Sequence, residues 1–180
     1  MIYSKRLRLR GAEREDIPRF VDWLNDPEVI QHLLAAYPIS QAAEERWFNA
    51  MVERGPAEQV LVIEARIDDN WCPIGNTSFM DVDWINRKAE IGIFIGDKSL
   101  WNHGYGREAM QLMLRHGFNQ MNLNRIFLRV HANNPGGIKA YEYAGFIQEG
   151  ILRQDVYREG KYLDVLVMSV LKSEWQDRDF

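Results

Sequence analysis

The chain has one cysteine, Cys72, in 180 residues. No disulfide can close within it, and no cysteine-built metal site can form. Cys72 stands between Trp71 and Pro73 in what reads as a turn, a small packing residue rather than a nucleophile. Long apolar runs are missing too. None approaches membrane-spanning length, and the opening M-I-Y-S-K-R-L-R-L-R lacks the apolar stretch of a signal peptide. The expected setting is cytoplasmic, with no membrane partner. A basic surplus is also absent: 22 lysines and arginines face 26 acidic residues, a net charge of −4. That argues against nucleic acid as a partner. His32, His116 and His131 have no ligand spacing, so no metal is expected, and they read as satisfied or exposed side chains. With no repeat, low-complexity tract or linker, residues 1–180 are expected to form one domain.

What is present is a succession of short periodic segments. Leu7 and Leu9 alternate with arginines, the pattern of a half-buried strand. Ile17, Phe20, Val21 and Leu24 follow helical spacing, and N-D-P at 25–27 ends that run. Ser40 is a predicted N-cap for a second helix that buries Ala43, Trp47, Ala50 and Met51. Strands are predicted over 59–67, 73–83 and 89–95, joined by the turns D-D-N and W-I-N-R. A helix follows, with Ala109, Met110, Met113, Leu114, Gly117, Phe118 and Met121 on one stripe, then a strand over 125–131. A shorter helix ends at Gly145, and strands over about 146–157 and 162–171 flank the turn R-E-G-K.

The order β-α-α-β-β-β-α-β-α-β-β places one parallel crossover, 89–95 to 125–131, among antiparallel neighbours. The expected fold is α/β: a three-layer α-β-α arrangement around a mixed, mostly antiparallel sheet of roughly seven strands.

The sharpest local signal is S-L-W-N-H-G-Y-G-R-E-A-M, 99–110. Two glycines open a helix, and Arg107 puts a cation where the helix dipole disfavours one. A bare Gly-x-Gly can be no more than a turn. A dinucleotide fingerprint does not fit: residues 96–103 separate the glycines from the strand, and the next strand ends in His131-Ala132 rather than an acid. A P-loop is excluded, since no Gly-Lys-Ser/Thr follows. An anion site accounts for the arginine. The first turn carries unpaired N–H groups, and glycines at 104 and 106 let a diphosphate come close to them. Glu108 would partly offset Arg107 in the empty state.

From about residue 73 to 171 the chain resembles the GNAT superfamily of acetyl-CoA-dependent N-acetyltransferases. The nearest branch holds ribosomal-protein N-terminal and polyamine acetyltransferases. W-N-H-G-Y-G, 101–106, matches the family's Arg/Gln-x-x-Gly-x-Gly/Ala loop except at Trp101. A-N-N-P-G-G-I-K-A-Y-E-Y-A-G-F, 132–146, matches its second element through Asn134, Gly137, Tyr141 and Gly145-Phe146. W-L-N-D-P-E-V, 23–29, is typical of the branch.

The resemblance implies acetyl-CoA as cosubstrate. Trp101, Asn102, His103, Gly104, Tyr105, Gly106 and Arg107 would hold its diphosphate, Arg107 or His103 making up for the lost first-slot side chain. Ile93, Phe94 and Ile95 would lie along the pantetheine where neighbouring strands splay. Asn134, Gly137 and Lys139 would complete the site, although Asn134 also reads as a helix cap and Lys139 as an exposed helix lysine. A backbone N–H near Phe94 or Ile95 would receive the developing oxyanion. Tyr141 would be the acid, or else an ordinary core tyrosine three residues after Ile138. Glu90 would relay the amine's proton, or else be a solvated or ion-paired strand-end carboxylate, with Asp81 and Asp83 in reserve.

The acceptor amine is expected between the first two helices and the C-terminal hairpin. Residues 30–40 there are largely apolar, with Glu44 and Glu45 following. Few carboxylates argue against a polyamine, and the branch resemblance favours a protein or peptide α-amine. A small-molecule amine (polyamine, amino sugar or aminoglycoside) and a non-catalytic acyl-CoA sensor stay open. The aromatic content and long tail strands are compatible with a homodimer.

Overall fold

The structure, a computed structural model, describes residues 1–33 and 37–177. Part of the expected acceptor segment, residues 34–36, lies outside the described residues. Eight strands form one sheet in the order β1-β2-β3-β4-β5-β6-β8-β7. They are β1 (Ile2–Tyr3), β2 (Leu7–Gly11), β3 (Leu61–Ile67), β4 (Asn70–Asp83), β5 (Lys88–Ile95), β6 (Arg125–His131), β7 (Ile147–Arg158) and β8 (Lys161–Leu171). The strand beyond the expected seven is β1, a two-residue edge too short to produce a periodic signal. Among the described residues, only β5 and β6 pair in parallel.

Five helices cover the sheet: α1 (Ile17–Leu24), α2 (Pro27–Ile30), α3 (Gln41–Val52), α4 (Tyr105–Arg115) and α5 (Pro135–Ala144). Alternation along β3 sends Ile63 and Ala65 into the core shared with α4, and Val62 to the opposite face with Phe20 and Trp23 of α1. Three layers result. Asn25 caps α1, and Asp26-Pro27 starts α2 at once, with the Asp26 carboxylate accepting from Glu28 N–H at 2.9 Å. Ser40 caps α3 as its sequence predicts. The buried face of α3, however, is Glu44, Phe48 and Met51, while Ala50 is exposed. Cys72 sits inside β4 opposite Ala65, not in a turn.

The site is opened by a ladder that stops. β5 and β6 pair only at Lys88–Arg125, Ala89–Ile126 and Glu90–Phe127. β6 continues to pair with β8 up to His131–Val165, so past Glu90 the two strands diverge and leave a gap in the sheet.

Candidate active site

A cleft of about 610 Å³ fills that gap. Its walls are the β5 segment from Glu90 to Ile95, the loop before α4, the start of α5, the end of β6, Asp155 and Val156 of β7, Val165 of β8, and residues of α2 and the segment after it.

The loop is built as a nest. Asn102 and Gly104 both take positive φ, 64° and 85°, and Gly104 is the N-cap of α4. A residue with a Cβ is strained there. Glu108 N–H makes the first intrahelical bond, to Gly104 carbonyl at 3.1 Å. The preceding amides, Tyr105, Gly106 and Arg107, belong to the first turn, which has no intrahelical acceptors. Gly106 lines the cleft, and a Cβ built there meets nothing nearer than Ile95 Cγ1 at 3.8 Å. The fold therefore does not require glycine at 106; the need lies with what enters the cleft. Residues and space both fit a diphosphate.

Trp101 has a different task from the side chain it replaces. Its indole N–H donates to Ile95 carbonyl at 2.8 Å and its ring packs against the cluster of Phe20, Trp23, Val29 and Val62, tying the loop to the end of β5. Arg107 is exposed on the cleft wall, its guanidinium 5.1 Å from the Tyr143 ring centroid. Glu108 does not offset it. That carboxylate is wholly buried and bonded to Arg6 and Ser4. Asn102 and Tyr105 line the cleft, whereas His103 and Lys139 are exposed and do not. The His103 ring is engaged with Trp101 carbonyl at 2.8 Å.

On the β5 wall, Gly96 N–H donates to Ile74 carbonyl, so alternate peptide groups, Phe94 included, face β4. Those of Ile93 and Ile95 turn to the gap, so of the two positions expected for the oxyanion donor, Phe94 and Ile95, only Ile95 presents its N–H to the cleft side. The Phe94 ring stacks edge-on to Trp23 with centroids 6.2 Å apart.

Across the cleft, Asn134 caps α5, its carbonyl oxygen accepting from Gly137 N–H at 2.9 Å. A Cβ on Gly137 would come within 2.6 Å of Asn134 Nδ2, so glycine there keeps the cap in place. Tyr141 lines the cleft, and among the described residues nothing bonds its hydroxyl. Burial pushes its phenol up to about 12, so it stays protonated through the neutral range.

Glu90 is on the cleft and is ion-paired: Arg129 donates to both oxygens, at 2.9 and 3.1 Å. Asp81 and Asp83 do not line it. Asp83 instead holds the turn through Asn86, whose hydrogen bonds keep its carboxyl below the usual range. Glu44 and Glu45 are also off the cleft, and burial raises Glu44. His131 and His32 do line it. His131 is 3% exposed with neither ring nitrogen partnered, and His32 Nδ1 is likewise unpartnered. They are neither satisfied nor exposed, and strand periodicity gave no sign of it. Among the described residues no group of side chains could hold a metal, and no helix is long and apolar enough to cross a membrane.

Comparison with known proteins gives the arrangement its family. The family model described as Acetyltransferase (GNAT) domain matches residues 6–147. An uncharacterized N-acetyltransferase, p20, of Bacillus licheniformis is 32% identical over 178 residues, 97% of each chain. A spermidine N(1)-acetyltransferase of Vibrio cholerae is 31% identical over 176 residues, covering 97% of this chain and 98% of that one. The crystal structure of spermidine N-acetyltransferase from Vibrio cholerae in complex with CoA and spermine superposes with a TM-score of 0.83 at 29% identity, over 93% of this chain and 96% of that chain. The loop, the parted strands and these matches together make the chain a member of the GNAT family, an acetyl-CoA-dependent N-acetyltransferase.

Proposed function

We propose that the acceptor is the primary amine of a small molecule, with an aliphatic polyamine as the leading substrate. The observation that carries this is the cleft's acceptor-side lining. Glu28, Glu90 and Asp155 come to it from three separate elements, Glu28 paired with Lys98 and Glu90 with Arg129, so an extended polycation would share these carboxylates with the chain's own cations. Similarity to spermidine acetyltransferases over nearly the whole chain supports the same reading.

Bound in the gap, acetyl-CoA supplies the acetyl group as a thioester. The chain's own groups then divide the work. The first-turn amides of α4 and Arg107 hold the diphosphate. The Ile95 N–H, already turned to the gap, meets charge developing on the carbonyl oxygen. An alkylammonium has a pKa of roughly 10 and must lose a proton to attack. Glu90, oriented by Arg129, takes it through water. Tyr141, held protonated, donates to the departing sulfur. Residues 1–180 act as one domain in this scheme.

The test is a panel read by thiol release: spermidine, a peptide with a free N-terminus, an amino sugar and an aminoglycoside. Saturable turnover with spermidine well above the others is expected. Turnover confined to the peptide would replace this acceptor with a protein α-amine.

A further inference from the structure

Arg6 precedes β2, 102 positions before Glu108, and it does not line the cleft. Its guanidinium nevertheless meets the diphosphate loop from behind at several points. It donates to Glu108 through Nε at 2.9 Å and Nη2 at 2.6 Å. Its ζ carbon stands 4.9 Å from the Tyr105 ring centroid, and Nη1 reaches the His103 carbonyl at 3.5 Å. Nη2 would be the nearest atom, at 3.7 Å, to a Cβ built on Gly104. Glu108 is 0% exposed and has only Arg6 and Ser4 as side-chain partners among the described residues.

We propose that Arg6 is a positioning residue for the cosubstrate: it cancels the Glu108 charge in the first turns of α4 and braces the loop so that its amides face the cleft. The inference rests on the acetyl-CoA assignment. Its physical ground is simple. A buried carboxylate within one helical turn of the diphosphate amides would repel a dianion strongly at low dielectric. A guanidinium donating two N–H groups to Oε2, with the Ser4 hydroxyl donating to Oε1, removes that repulsion and fixes the direction of the helix start. Arg107, which makes no ion pair among the described residues, is then left to act on the ligand.

Two thioesters separate this role from general damage: acetyl-CoA, and S-acetylpantetheine, which lacks the diphosphate. Arg6→Ala should raise the acetyl-CoA Kd, by calorimetry, and its KM by about tenfold or more, with kcat little changed. Its kcat/KM for S-acetylpantetheine should stay near that of the unaltered chain. Adding Glu108→Gln should recover most of the lost affinity, because the repelling charge is gone. Arg6→Lys should fall between, and carries the comparison should Arg6→Ala not fold. An unchanged acetyl-CoA Kd in a folded Arg6→Ala protein overturns the proposal, as does equal loss with both thioesters. If the unaltered chain itself bound no acetyl-CoA, the assignment beneath the proposal would fail first.

Discussion

Arg129 on β6 donates to both carboxylate oxygens of Glu90 on β5, bridging the two strands where their ladder ends. The pair stands at the apex of the gap between the two strands. Glu90 is 7% exposed, and its remaining acceptor sites face the cleft lining. Glu90→Gln should cut kcat by about 10²-fold, the low end of what a proton acceptor supplies. The KM for acetyl-CoA should hold steady. Unchanged kcat would leave the pair a purely architectural one.

Tyr141→Phe should lower kcat by a similar factor, about 10², without loss of fold, since nothing described bonds the hydroxyl. A pH signature goes with it. Burial raises the folded phenol from 10 to about 12. Below pH 10 both states keep the proton and stability is level. Between 10 and 12 the unfolded chain releases it first, so stability falls with rising pH. Urea melts across that window should be shallower for Tyr141→Phe; an identical slope would place the ring elsewhere.

Much of this was legible beforehand. Apart from the two-residue β1 and the short α2, the strand and helix order follows from periodicity and turn residues, as do the Ser40 and Gly145 caps, the parallel crossover and the cleft-lining loop. What escaped was set by tertiary contact. Nothing in R-L-R-L-R says that Arg6 meets a residue 102 positions on, or that Glu108 is buried while Arg107 is exposed. Glu44 displaces Ala50 from the buried face of α3, against its polarity. His131 has strand parity with Arg129, yet one is buried and the other exposed, although both lie past Phe127, where the ladder with β5 ends.

Histidines held below their usual range should weaken the fold in acid. Burial first, then Arg158 and His32, hold His131 below its usual 6.5; burial likewise lowers His32 and His116. As pH falls through 6.5 the unfolded chain takes up protons first, so stability present above that value is lost below it. His131→Gln should flatten the decline in urea midpoint between about pH 6.5 and 5. A variant that tracks the parent through this range would contradict the assignment.

The two loop glycines should respond in opposite ways. Gly104→Ala forces a Cβ onto a φ of 85° and should cost about 1 kcal/mol of stability. Gly106→Ala makes no more than ordinary contact with Ile95 in the folded chain and should leave the melting temperature level or higher. It should still weaken CoA binding, because the methyl group enters the cleft. Equal effects of both changes on stability and on binding would count against the division.

The central claim is that the amides of Tyr105, Gly106 and Arg107 grip the diphosphate of acetyl-CoA. Calorimetric titration of the folded chain with coenzyme A tests it most directly, run beside Gly106→Val. A single saturable site in the parent and none in the variant is the expected result. No heat from the parent, or equal binding by both, would contradict it.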